Sequence, residues 1–146
     1  MAGHTIQVEV VSTEEEIFSG VAEHVVLTAK AGEIGIYPGH APLITLLKPG
    51  VMRLVLPNNA GTKLLAISGG LAEVRPNLIT VLADVVVRSE EMDQVRAEEA
   101  KKEAEERIKG KLSDSDRAKA EAALAVALAE LKVLSYIKTH QRADYT

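Results

Sequence analysis

Four histidines, at positions 4, 24, 40 and 140, are the first candidates for acid–base or metal chemistry. They are widely scattered, and none stands at metal-ligand spacing with a second His, Asp or Glu. Ser68-Gly69-Gly70 lacks the glycine two places before the serine that a nucleophile elbow requires. No glycine loop runs into Lys-Ser or Lys-Thr, so there is no phosphate-cradling P-loop. Asp93 and Arg96 fall one helical turn apart at a helix start, a spacing that makes a local structural pair. Glu33 and His40 sit in Gly32–Leu43, where three glycines and two prolines crowd twelve residues. Glycine permits positive φ and proline fixes φ, so this density specifies one loop shape. A stiff loop loses little entropy on docking, which favours a preformed contact surface. His40 is also the type of group that titrates near neutral pH. These residues suit recognition, and the chain reads as a non-enzyme.

Two kinds of element must position them. Nine of the ten glycines and all five prolines precede residue 77, with Gly110 as the exception. Ile6, Val8 and Val10 alternate with Gln7 and Glu9, the period of a half-buried strand. Further strands are expected at Val21–Ala29, Leu43–Leu47, Val51–Leu56, Lys63–Ile67, Leu71–Val74 and Leu78–Ala83. Val21–Ala29 is apolar in part on both faces and is expected to be covered on both. Spacings near ten residues with turn residues between predict an antiparallel β-sandwich or flattened barrel over residues 1–88. Ser68-Gly69-Gly70 reads as a bulge or tight turn.

From Ser89 the composition turns to Ala, Glu, Lys and Arg, predicting an antiparallel helical hairpin over 89–146. The first helix is expected from about Glu91 to Lys109, and the second from a cap among residues 113–116 to about His140. Ala97, Ala100 and Ala104, and Ala118, Ala122, Ala125 and Ala129, form the expected close-packing stripes. Glu98–Lys102, Glu103–Arg107 and Glu105–Lys109 have the favourable i,i+4 order, worth a few tenths of a kcal/mol each. Ala122–Leu131 is apolar all round except for Glu130, so this helix expects cover on more than one side. The fold class is α+β.

A formal charge of −4 argues against a nucleic-acid binder. The absence of cysteine rules out a disulfide frame and a thiolate metal site. Apolar runs such as Ala122–Ala129 fall far short of the ~20 residues that span a bilayer, so membrane contact is expected only through partners.

The loop Gly32–Leu43 resembles the signature loop of the epsilon subunits of bacterial F-type ATP synthases. Val10–Gly20, Ser68–Pro76 and Val81–Asp84 fall in that family's order. The resemblance implies a central-stalk subunit whose sandwich binds the gamma subunit and the c subunits of the rotor ring, with Glu33 and His40 as ring contacts. It implies a hairpin that inhibits ATP hydrolysis when extended into the alpha and beta subunits of the catalytic head. Lys101, Lys102, Arg107, Lys109, Arg117, Lys119 and Lys132 are the candidate head contacts. A location on the cytoplasmic face of a bacterial inner membrane follows from the same resemblance.

Met92-Asp93-Gln94-Val95-Arg96-Ala97 resembles the (Ile/Leu)-Asp-x-x-Arg-Ala motif with which some of these subunits bind ATP. The family's ATP binders add arginines on the second helix, where Val126 and Glu130 stand here, and an upstream acid, where Val87 stands. Losing two guanidinium groups removes much of the phosphate recognition, so ATP binding is expected to be weak or absent, with no cofactor required. Two other readings are an ATP-sensing module built on Asp93, Arg96 and Ala97, and a free-standing adaptor with a coiled-coil partner. The first helix is too short for several heptads, which opposes the adaptor reading.

Overall fold

The computed structural model describes residues 4–143, with side-chain burial through residue 139. Ten strands precede two helices: β1 Ile6–Ser12, β2 Glu16–Ala22, β3 His24–Ala29, β4 Gly32–Ile36, β5 Leu43–Leu47, β6 Gly50–Val55, β7 Thr62–Ile67, β8 Gly70–Arg75, β9 Leu78–Ala83 and β10 Val86–Arg88. A 3-10 turn at Ser89–Glu91 leads into α1 Gln94–Lys109 and then α2 Asp114–Ala143.

The strands form one curled sheet in the order β10-β7-β6-β3-β5-β8-β9-β1-β2, with β4 also paired to β3. All pairings are antiparallel except β1 with β9, which runs parallel from Gln7 opposite Leu78 to Ser12 opposite Ala83. The two ends of the strand order meet through one side chain. Arg88 on β10 donates through Nη2 to the Ile17 carbonyl on β2 at 3.2 Å, and its Nη1 lies 3.6 Å from Glu15 Oε1 and 3.3 Å from Glu91 Oε1. The sandwich is thus nearly closed, which protects its edges.

Alternation decides what lies inside. Ile6, Val8 and Val10 of β1, Met52 and Leu54 of β6, and Ile79 and Val81 of β9 are buried in one core. That core is almost wholly aliphatic, and Phe18 packs only at its margin.

Two strand expectations need correction. Val21–Ala29 is interrupted at Glu23: its first two residues end β2, which pairs with β1, and the rest forms β3, which pairs with β4, β5 and β6. The strand covered on both faces is β7, where Leu65 and Ile67 enter the sandwich core while Leu64 and Ala66 lie under α2. The Gly32–Leu43 loop also contributes a strand, since Gly32–Ile36 pairs with β3 as β4. Its irregular part is only residues 37–42.

In place of the expected bulge or tight turn, Ser68-Gly69 is the irregular crossover from β7 to β8, strands that do not pair with each other. Gly69 and Gly70 have φ of 113° and 146°, and a Cβ on Gly70 would collide with the Leu82 backbone on β9. The close approach that demands glycine there is internal.

The helices stack in sequence. α2 packs on β6 and β7, and α1 packs on α2. Asp93 caps α1, its Oδ1 accepting the Arg96 N–H at 3.1 Å, and Ser113 Oγ accepts the Asp116 N–H at 3.2 Å. The alanine stripes differ from expectation. Ala97 and Ala104 of α1 are buried, as are Ala120 and Ala127 of α2, while Ala100, Ala118 and Ala122 are exposed. Both buried pairs are seven residues apart, the seam of two helices in close contact. Ala129 and Val133 lie on another side of α2, in a cluster with Leu64 and Ala66 of the sheet. α2 therefore has cover on two sides, which accounts for most of its apolar girth.

The three expected i,i+4 pairs of α1 are absent among the described residues. Lys101 Nζ instead lies 4.0 Å from Glu105 Oε1, and Gln94 Nε2 donates to Glu98 Oε1 at 2.8 Å.

Candidate interaction surfaces

The loop at residues 37–42 is held by its backbone. The Gly39 N–H donates to the Pro76 carbonyl at 2.8 Å with Gly39 at φ 85°, and the His40 N–H donates to the Tyr37 carbonyl at 3.1 Å. His40 is half-buried, and its Nδ1 donates to the Ala41 carbonyl at 2.7 Å. The donor role fixes the tautomer and leaves Nε2 as the second ring nitrogen for a partner. Tyr37 stacks on His24 with centroids 4.6 Å apart and is 59% exposed.

Glu33 belongs to β4 and faces elsewhere. Its Oε1 accepts from Arg53 Nη2 at 3.1 Å, and the Arg53 guanidinium lies 5.6 Å from the Tyr136 ring of α2. Glu33 and His40 are thus not in one cluster. Glu33 lies at the start of a chain of contacts that reaches the hairpin.

The pleat defines a second surface that sequence reasoning missed. Leu46 of β5 stands opposite Leu71 of β8, which stands opposite Leu82 of β9, which stands opposite Val11 of β1. Ile44, two residues before Leu46, shares their outward face. Ile44, Leu46 and Leu82 are 68%, 51% and 50% exposed. Contiguous exposed apolar side chains mark an interaction site. The signal was present in Leu43-Ile44-Thr45-Leu46-Leu47, which is apolar on both faces of a strand. An open cleft of about 620 Å³ continues the patch to Pro42 and the β8–β9 turn at Pro76.

A third region lies where the sandwich meets the hairpin. Val87, Glu91, Asp93, Arg96, Ala100 and Glu130 line a cleft of about 500 Å³. Asp93 and Arg96 are brought together there, but Ala97 is buried in the helix seam instead. Glu91 was missed because a residue in a 3-10 turn carries no helical periodicity. Three carboxylates face one guanidinium. Burial pushes the Glu130 carboxyl above its ordinary value, and Arg96 pulls it partly back. Arg88 also pairs with Glu91 at this edge, and the Asp93 carboxylate is committed to its cap.

The candidate cations are spread along both helices. Lys102, Arg107, Lys109, Arg117, Lys119 and Lys132 are exposed, and Lys101 is half-buried beside Glu105. Arg107, Lys109 and Arg117 gather near the hairpin turn with Lys111, which was not singled out in sequence. Among the described residues no group of His, Asp or Glu is arranged to hold a metal ion, and no helix is long and apolar enough to cross a membrane.

A nearly closed sandwich with an exposed apolar face, carrying a hairpin docked through one helix, defines a docking protein of two modules. Residues 5–89 match the family model described as ATP synthase, Delta/Epsilon chain, beta-sandwich domain, and residues 90–135 match its long alpha-helix domain. The chain belongs to the ATP synthase delta/epsilon chain family.

It is 57% identical over 133 residues to the ATP synthase epsilon chain of Chromobacterium violaceum, covering 91% of this chain and 95% of that one. It is 53% identical over 137 residues to the epsilon chain of Neisseria meningitidis, covering 94% and 98%. A chain in the Euglena gracilis mitochondrial ATP synthase shares the fold at a TM-score of 0.74 with 22% identity, over 89% of this chain and 81% of that one. A chain of the Tetrahymena thermophila mitochondrial ATP synthase central stalk and c-ring gives a TM-score of 0.61 with 16% identity, over 91% and 98%.

Proposed function

We propose that this chain is the central-stalk epsilon subunit of a bacterial F-type ATP synthase, a non-catalytic rotor component on the cytoplasmic face of the inner membrane. Residues 1–88 form the anchor and 89–146 the regulatory hairpin. The apolar face built on Ile44, Leu46 and Leu82 docks on the gamma subunit. The loop carrying His40, with Glu33 on the neighbouring strand, rests on the c subunits of the rotor ring. Ion flow through the ring is thereby coupled to ATP synthesis in the head.

The hairpin acts as a brake on hydrolysis. Folded on the sandwich, it permits turnover; extended, its lysines and arginines meet the alpha and beta subunits. The observation that carries this reading is the small docking seam. Among the described residues, Leu64, Ala66, Ala129 and Val133 are the buried cluster between α2 and the sheet, with five half-buried residues packed against it, Val51, Val87, Met92, Tyr136 and Ile137. A bistable element needs two dockings within a few kcal/mol of each other, and a seam of this size meets that need.

The test is ATP hydrolysis by a catalytic head reconstituted with gamma, comparing the full chain with residues 1–88. Binding by both and inhibition by the full chain alone is the expected result. Failure of either to bind gamma would overturn the assignment. Binding by both without inhibition would leave a coupling subunit with no brake.

A further inference from the structure

A groove on the opposite side of α2 from the acidic cleft has no role in the folded state assigned above, although its Lys101 and Lys132 are among the candidate head contacts of the extended hairpin. Its volume is about 580 Å³, and its ten lining residues come from three places. One wall is the β5–β6 turn, with Lys48 and Pro49. That turn is pinned, since the Lys48 N–H donates to the Thr28 carbonyl at 3.0 Å. The floor is α2, with Leu128 and Leu131 among others, and Lys132 at its edge. The other wall is α1, through Lys101.

The lining is apolar apart from the three lysines and Ser135, and it contains no acidic residue. This occurs in a chain whose net charge is −4. Lys48 and Lys132 are exposed and form no ion pair among the described residues, and Lys101 has only the distant Glu105 carboxylate. Ala125 to Ser135 spans roughly 15 Å of helix, a length matched by an extended aliphatic chain.

We propose that this groove binds a single-chain aliphatic carboxylate, free in solution. The tail lies along Leu128 and Leu131, and the carboxylate is met by the lysine ammonium groups at the rim. Apolar area with a few convergent charged groups is the usual composition of a small-ligand site, and the volume falls within the ~300–1,000 Å³ of such sites. A protein partner would occupy about 20–30 residues on this side, well beyond the ten that line the groove. The occupant touches the sandwich and both helices at once, so it clamps the hairpin in its folded position. Anything that binds one of two states shifts the equilibrium toward it. The binding site rests on the folded structure alone, and the clamping effect rests on the two-state hairpin proposed above.

The full chain is titrated with decanoate below its micelle concentration, followed by amide chemical shifts and hydrogen exchange. Saturable shifts at Gly50, Ala125, Leu128 and Ser135, with slower exchange in α1, are expected. Decanol should bind at least tenfold more weakly. Lys132→Glu and Lys48→Glu should each weaken decanoate at least tenfold. Leu128→Glu, at a position already 40% exposed, should abolish binding while leaving the fold intact. Absent or non-saturable shifts would overturn the proposal, as would decanol binding equal to decanoate or lysine variants that bind unchanged. Binding of an acidic amphipathic helical peptide in preference to decanoate would also overturn it.

Discussion

The sandwich and the hairpin bury apolar residues on different scales. Eighteen buried residues form the sandwich core, many of them Ile, Leu, Val or Met at 0–1% exposure. Among the described residues, the hairpin meets the sheet through a cluster of four buried residues with five half-buried neighbours, and its other buried residues are four alanines. Full burial of a Val or Leu side chain contributes about 1.5–3 kcal/mol, and alanine much less. The sandwich core therefore buries far more large apolar side chains than the seam between α2 and the sheet does. Burial apportioned this unevenly is what the proposed release of the hairpin from a fixed sandwich requires.

The largest break should come from the core. Leu54→Ala removes a fully buried side chain from β6 and should cost about 2–5 kcal/mol of global stability, read from the urea midpoint. Next comes the seam. Val133→Ala should cost about 1–3 kcal/mol, expressed as faster amide exchange in α1 and α2 with the sandwich strands unchanged. Equal loss of protection in both modules would erase the contrast.

Asp93→Ala should cost about 1 kcal/mol through the lost cap, with fraying confined to the first turn of α1. Exchange at Arg96 is the direct reading.

The smallest effect concerns Glu130. Unfolded, this carboxyl releases its proton near its ordinary value; folded, it keeps the proton to higher pH. Its contribution to hairpin docking is therefore fully present below the ordinary value and fades as pH rises through the raised one. Glu130→Gln should dock more firmly than wild type at neutral pH. The difference should shrink toward pH 4.5. A constant difference across that range would show that burial of Glu130 does not act through its charge.

Much of this architecture was legible. β1 was read from strict alternation, β6 and β9 from short apolar runs bounded by turn residues, and the helices from composition. What failed was tertiary. Glu23 splits an apolar run that has no glycine or proline to announce the break. Nothing local distinguishes β7, which a helix covers, from β5, whose outer face stays open. The alanine seam was displaced because two or three alanines per turn allow several equally plausible stripes. Asp93 and Arg96 were correctly placed together, but the acidic partners Glu91 and Glu130 converge on them only through the hairpin's docking.

The parallel pairing of β1 with β9 has a consequence for synthesis. β1 leaves the ribosome before the other nine strands, and it has only β2 as a partner until residue 83 has emerged. Before then the nascent sheet keeps an open β1 edge and an open edge on β8, which has only β5 as a partner, and both are templates for pairing with another chain. Arg88, which joins β10 to β2, arrives last of all. The sandwich thus closes just as the first helical residues are being added. The hairpin is made only after the sandwich is sealed, so a pause in translation within the hairpin leaves a finished sandwich, and a pause within β8 leaves a sticky fragment.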